Sequence, residues 1–314
     1  MKTLAQAAFW KLGKTGLFRS KPLLAPLLRA LWRYLFARTP EAGAAAVDAL
    51  AAGRLARYPI LFHDRHGLEY LLYPDQNPEI FIANNGNYEI GETEFCLARL
   101  RPGMTVFDVG AHIGLYTLLF ARQVGPGGRV HAFEPEPRNR EQLLVNLAIN
   151  RCDNVTVNPL AVFSKTQPVT LNIYSATGNA LHTLRQAPIN NHLEPGRTLM
   201  PERQATVQAT SLDDYCREHG IENIDYLKID VEGAELDVLH GARGLLQREA
   251  VSLIQFEALA PLHSGPPADM AQGDVFTFLR GHGFACHPIT PSGQLGGQVA
   301  ARVPGYSNYA AVRA

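Results

Sequence analysis

Residues 104 to 313 predict an α/β fold, a mainly parallel sheet with helices on both faces. Three observations carry this. Short apolar runs at about 104–109, 129–134, 154–160, 224–230, 251–257, 283–289 and 306–313 alternate with helix-like stretches, and strands that alternate with helices pair in parallel. Three of the runs end in an acid, at Asp108, Glu134 and Asp230. The chain, at 314 residues, is long enough to bury a three-layer core and still carry additions. Ligands of open sheets sit at the carboxyl ends of the strands, where the winding direction switches. The three acids are therefore predicted to share one site.

The chain begins with an extension. Before Glu41 there is no acid, while Lys2, Lys11, Lys14, Arg19, Lys21, Arg29, Arg33 and Arg38 are interleaved with large apolar residues. The stretch 23–36, LLAPLLRALWRYLF, is too short and too interrupted by Pro26, Arg29 and Arg33 to span a bilayer, and no small-residue cleavage site marks a secretory signal. It reads as a basic amphipathic segment for an anionic membrane surface, with Trp32, Tyr34 and Phe36 at the interface. The alternative is a helix packed on the body or at a homodimer contact. Residues 41–57 are alanine-rich and helical in pattern, which closes a helical extension over 1–57. Apolar runs at 60–62, 68–73 and 80–82, split by His66-Gly67 and by 74–78, predict a small antiparallel cap. A helix over 92–100, stopped by Arg101-Pro102-Gly103, leads into the core domain at 101–314.

The core opens with VFDVGAHIGLYT at 106–117, an apolar strand ending in an acid and a G-x-x-x-G pair that starts a helix. Gly110 and Gly114 let backbone approach a ligand and let the helix begin tight on the strand. Glu134 ends the next strand, and a carboxylate there can accept hydrogen bonds from both hydroxyls of a ribose. Neither G-x-G-x-x-G nor G-K-[ST] occurs at the loop, so no pyrophosphate cradle is built. Asp108 would repel phosphates yet suit an ammonium group. S-adenosylmethionine, with an amino-acid head, a ribose and a sulfonium, fits this set. An ordinary strand-glycine-helix turn in another α/β protein is the plain alternative. A nicotinamide-dependent oxidoreductase and a noncatalytic S-adenosylmethionine-binding protein are the other functional classes.

A third motif, IDYLKIDVEGAE at 224–235, ends its strand in Asp230 and continues through Glu232 and a glycine into a helix. With DVGAHIGLYT, FEPEP at 133–137, TSLDDY at 210–215 and KIDVEGAELDVLHGA at 228–242 in this order, the chain resembles the FkbM family of S-adenosylmethionine-dependent methyltransferases over about residues 87–260. The resemblance implies a Rossmann-like class I methyltransferase fold, a seven-stranded sheet closed by a reversed hairpin from the last two strands. It implies O-methylation of a sugar hydroxyl or of a hydroxyl on a polyketide or other secondary metabolite, and the basic amphipathic start adds a glycolipid or lipid-linked sugar as acceptor. Asn is commoner in the family where this chain has His112. The approach segment 84–94 borders the cofactor in that family, which makes Tyr88 and Glu94 candidates, with a solvated loop as the alternative.

Cofactor contacts are thus expected from Glu94, Asp108, Gly110, His112, Gly114, Thr117, Glu134, Ala161, Val162 and Asp230. Phe133, Pro135 and Pro137 read as packing residues. An added strand at 169–175 and a polar stretch at 176–204 form an insertion at 169–204, containing Asn179, His182, Arg185, His192 and Arg197. It is long for a connection in an α/β unit and is either an acceptor lid or a ligand-free excursion. An alcohol acceptor needs a base. Candidates are Asp230, Glu232, Glu257, His182 and His112, with Asp230 at the methyl group, His182 as helper, and Glu257 in the catalytic set. Asp230 and Glu232 make only part of a metal ligand set, and Glu232 also suits a helix start, so no metal is expected.

Net charge is +0, from 29 basic and 29 acidic residues, which argues against a nucleic-acid partner. Cys96, Cys152, Cys216 and Cys286 form no C-x-x-C pair and read as reduced thiols of a cytoplasmic protein, one that could touch the inner membrane surface through residues 1–40.

Overall fold

The computed structural model describes residues 60–72, 89–174, 182–184, 189–190, 198–258 and 274–313. The expectations for 1–57 and for the run at 80–82 lie outside them. Strands β1 (Ile60–His63) and β2 (Glu69–Leu72) pair antiparallel, as the cap predicted. Helix α1 (Ile90–Arg99) follows, starting two residues before the predicted 92. Then come β3 (Thr105–Val109), α2 (Leu115–Val124), β4 (Arg129–Phe133), α3 (Pro137–Asn150) and β5 (Val155–Asn158).

The next stretch leaves the central sheet. Strands β6 (Ala161–Val162) and β7 (Gln167–Ile173) join β10 (Arg203–Thr210) in a side sheet, while β8 (Ile189–Asn190) and β9 (Thr198–Leu199) make a separate pair. The sequence pattern ends the insertion at 204 and marks no strand over 203–210. Its residues, RQATVQAT, are polar and small, with six of eight positions outside the core. What makes the strand is seven-residue pairing with β7, from Arg203 opposite Ile173 to Ala209 opposite Gln167, a partner the local pattern does not reveal.

The chain returns through α4 (Leu212–His219), β11 (Tyr226–Ile229), α5 (Glu235–His240), α6 (Arg243–Gln247), β12 (Leu253–Glu257), α7 (Val275–Gly281), β13 (Phe284–Pro288) and β14 (Asn308–Arg313). Across the seven-stranded sheet the order is β13, β14, β12, β11, β3, β4, β5. Strands β5, β4, β3, β11 and β12 run parallel, and β14 is antiparallel to both β12 and β13. This is the seven-stranded, mainly parallel architecture expected, with its reversed hairpin.

Period-2 alternation places the core. Phe107 and Val109 join Leu212 and Tyr215 of α4 and Leu239 of α5 on one face. Val106 joins Phe95 of α1 and Phe120 of α2 on the other. The β1–β2 pair docks through an amide ladder on α3, because Gln142, Asn146 and Asn150 recur one turn apart. Asn146 Oδ1 accepts from Leu71 N–H at 2.7 Å, Gln142 Nε2 donates to Leu71 O at 2.5 Å, and Asn150 Nδ2 donates to Glu69 O at 2.6 Å. Side chains thereby satisfy a strand edge that would otherwise be left unpaired.

Two caps explain one motif. Ser211 accepts from Asp214 N–H at 3.1 Å to start α4, and Asp213 accepts from Gly244 and Leu245 N–H, both at 2.8 Å, to start α6. The TSLDDY block is therefore structural. Among the described residues no helix is long and apolar enough to cross a membrane.

Candidate active site

Strands β3, β4 and β11 are neighbours, with Asp108 level with Ala132 on one side and Lys228 on the other. Their carboxyl ends border one cavity. Gly110, His112 and Glu134 line it from the first two strand ends, and Asp230 and Glu232 from the third. Ala161, Val162 and the insertion's His182 close it from the side sheet. A cavity of about 800 Å³ lies elsewhere, against Arg122, Arg129 and Arg151, and touches none of these acids. The chemistry belongs to the first cavity.

Gly110 has φ +85°, and a Cβ there would lie 1.7 Å from the carbonyl oxygen of Asp230. The close approach expected toward a ligand is thus made to the neighbouring strand end, which welds the two halves of the rim together. Gly114 has φ +94°, and a Cβ there would lie 2.4 Å from Leu143 Cδ1, so this glycine presses α2 onto α3. His112 is left-handed at φ +49°. Asn adopts that conformation readily, which accounts for its frequency at this position in the resembling family. His112 N–H donates to Glu134 Oε2 at 2.9 Å, and Glu136 N–H donates to Glu134 Oε1 at 2.8 Å. Two fixed donors aim the carboxylate, and burial pushes its pKa up to about 7. The neighbouring acid Glu136 works differently, capping α3 by accepting from Asn139 N–H at 2.9 Å and pairing with Arg203 of β10 at 2.9 Å.

Asp108 does not face the cavity, contrary to the sequence expectation. Period 2 turns it toward α2, where Oδ2 accepts from Thr117 Oγ1 at 2.5 Å and Oδ1 lies 3.9 Å from Lys228 Nζ. Thr117 is consumed by the same contact. Glu94 also falls away from the site: it sits on the outward side of α1, ion-paired with Arg65. The acid of this segment that reaches inward is Glu89, which accepts from Tyr116 OH at 2.5 Å. Burial, with Asp230 adding to it, pushes the Glu89 pKa up to about 7. Tyr88 lies outside the described residues.

Lys228 is the other residue at this site that the sequence motifs do not single out. It is 3% exposed, because the strand that carries it lies inside the sheet. Its Nζ donates to Asp230 Oδ2 at 2.9 Å and lies 4.4 Å from the centre of the Tyr116 ring. Burial works against the ammonium, yet Asp230 and Asp108 outweigh it and hold its pKa above the usual lysine value. A lysine inside a strand that ends in an acid was the available signal.

Glu257, the last residue of β12, joins this rim. Burial, and then the facing Asp230 and Glu232, raise its pKa well above the carboxylate range. Glu232 is raised by burial and by Asp230 and Glu235. Its backbone is left-handed at φ +54°, followed by Gly233 at φ +98°, and the turn closes where Glu235 Oε1 accepts from Gly233 N–H at 3.1 Å.

The insertion touches the rim through 182–184. Thr183 Oγ1 donates to Glu232 O at 2.8 Å. His182 Nδ1 accepts from Tyr174 N–H at 3.3 Å, and burial lowers its pKa to about 3. With Nδ1 accepting, the proton of the neutral ring sits on Nε2. His182 therefore offers a donor to the cavity, not a free base. Asn179, Arg185, His192 and Arg197 lie outside the described residues.

A family model described as Methyltransferase FkbM domain matches residues 108–286. The 31-O-demethyl-FK506 methyltransferase FkbM of Streptomyces tacrolimicus is 32% identical over 212 residues, covering 61% of this chain and 78% of that protein. The 2-O-methyltransferase NoeI of Sinorhizobium fredii is 27% identical over 47% of this chain and 61% of its own length. Methyltransferase sdnD of Sordaria araneosa is 33% identical over 48% of this chain and 65% of its own. The chain thus spans a little under two thirds of the last two.

Proposed function

Since the chain belongs to the FkbM family of S-adenosylmethionine-dependent methyltransferases, we propose that it moves the donor's methyl group onto a hydroxyl oxygen of a sugar, glycolipid or secondary metabolite by in-line displacement. The family makes it a methyltransferase; the acceptor class rests on the O-methyl positions in the names of two relatives and on the acid-rimmed cavity. One observation carries the reading: Glu134 and Asp230 line a single cavity at the carboxyl edge of the sheet.

The residues present suit the donor. Glu134, already aimed by two N–H groups, keeps further lone pairs for both ribose hydroxyls. Ala161 and Val162 of β6 offer an apolar wall for a base, and Gly110 and His112 shape the loop beneath it. Glu89 supplies negative charge for the donor's amino group, while Asp108, Gly114 and Thr117 act from inside by fixing the loop. The bound sulfonium supplies an activated methyl group. The protein's task is then to hold the acceptor oxygen in line at roughly 3 Å from it and to receive its proton. Asp230 is the base, because it lines the cavity and Lys228 Nζ fixes the position of its carboxylate. Glu257 stands behind it, and His182 directs the acceptor through Nε2–H. Residues 1–40, a basic amphipathic segment, support a lipid-linked acceptor met at an anionic membrane surface, or contact with a second copy.

The test incubates the protein with S-adenosylmethionine labelled in its methyl group and extracts of the source cells, followed by identification of the labelled product. A base-stable methyl ether on a hydroxylated small molecule is expected. Label confined to nitrogen, carboxyl groups or nucleic acid would overturn the proposal.

A further inference from the structure

Resting on the methyltransferase reading of the same rim, we propose that Asp230, Glu232 and Glu257 form a binding site for a divalent, oxygen-preferring cation that holds the acceptor's hydroxyl oxygen. The sequence offered only a D-x-E pair, too few ligands for such an ion. The fold adds the third. Strands β11 and β12 are parallel neighbours in which Ile229 stands opposite Phe256, so the residues just past each, Asp230 and Glu257, leave the sheet side by side. One carboxylate oxygen from each of the three acids then lies within 4.8 Å of the others. An ion with metal–oxygen distances of about 2.0–2.6 Å reaches such oxygens from a common centre.

A second observation separates this cluster from a solvated acidic face. Glu232 Oε2 is sealed from solvent and takes no hydrogen bond, a state that costs a carboxylate dearly unless something positive meets it. The backbone does not supply it, because the turn's free N–H groups at Val231 and Gly233 are taken by Glu235. Lys228 does not supply it either, since its short contacts go to Asp230 and the Tyr116 face. A divalent ion among the three acids would supply the positive charge that a single ammonium, shared between Asp230 and Asp108, does not. Hard oxygen ligands without histidine or cysteine select Mg²⁺, Mn²⁺ or Ca²⁺ over zinc. Three protein ligands also leave coordination positions for the acceptor, whose hydroxyl would become more acidic on the ion.

The experiment uses the full chain and Mn²⁺ as the probe, with free Mn²⁺ read by electron paramagnetic resonance, and S-adenosylmethionine binding read separately by calorimetry. One Mn²⁺ per chain is expected, displaced by Mg²⁺ or Ca²⁺, with E232Q and E257Q each weakening it at least about tenfold while E218Q, on the exposed side of α4, does not. No bound Mn²⁺ at millimolar concentration overturns the site, and so does binding that both variants leave unchanged. Should a variant fail to fold, the wild-type titration and the other variant still decide. Donor binding without Mn²⁺ binding removes only the cation site; Mn²⁺ binding without donor binding removes the methyltransferase geometry and leaves the ion.

Discussion

The rim at β3 and β4 and the rim at β11 and β12 handle charge in opposite ways. At the first, Glu134 is gripped by two backbone N–H groups, and the loop around it is fixed by glycine conformation and packing. At the second, Asp230, Glu232 and Glu257 crowd together with one lysine, and side chains do the work. The contrast fits a division of labour. A donor that never changes can be met by rigid backbone, whereas an acceptor that differs among relatives is met by side chains that substitution can retune.

The largest effect is expected where the two rims meet. Gly110→Ala would push a methyl group into the Asp230 carbonyl 1.7 Å away and hold alanine at positive φ, so chemical denaturation should show a loss of about 4 kcal/mol or more. Near-native stability would mean that the strand ends do not nestle. Next comes Asp230→Asn, expected to lower kcat by about 10²- to 10⁴-fold while calorimetry finds donor affinity within about threefold of wild type. If donor affinity falls more than turnover, the assignment of the two rims is reversed. Glu134→Ala should do the opposite, weakening S-adenosylmethionine by about 1–3 kcal/mol through lost charge-assisted hydrogen bonds and sparing kcat at saturation. Unchanged affinity would remove Glu134 from the ribose.

The same contrast decides what the sequence made legible. The strands of the central sheet are apolar runs with turn signals at their ends, and each is found within a few residues of its predicted place. Glu134 and the two glycines are local features of a strand-turn-helix and were readable as such. Asp108 points inward because alternation within β3, not proximity to the loop, decides its direction. Glu94 is a candidate only through the approach segment of the resembling family, and nothing local in 84–94 shows that Glu89, at the start of α1, is the acid that reaches inward while Glu94 pairs with Arg65. Lys228 and the pairing of Glu257 with Asp230 depend on which strand lies beside which, and one strand's sequence does not carry that. β10 was invisible for the same reason.

The smallest effect probes both rims at once through pH. Glu89, Glu134 and Glu235 have their pKa values raised by burial from 4.5 to about 7, so the native state binds more protons than the unfolded chain across that interval, and stability falls as pH rises through it. His112, His131 and His182 are lowered by burial from 6.5 to about 4, 4 and 3, so the unfolded chain binds more protons below 6.5 and stability falls as pH drops. The two slopes oppose each other between roughly 4.5 and 6.5 and leave the glutamates unopposed just above. Thermal melts of the ligand-free protein should therefore lose Tm from about pH 6.5 to 8, by 2–4 °C for each kcal/mol or so. E134Q should flatten the part of the slope owed to the first rim and E235Q the part owed to the second. Saturating S-adenosylmethionine, whose positive charge favours the ionised carboxylates, should flatten it as well. A Tm that holds level or climbs over that interval would show that these glutamates are ionised in the empty site, and that the electrostatic difference between the rims is smaller than their geometry implies.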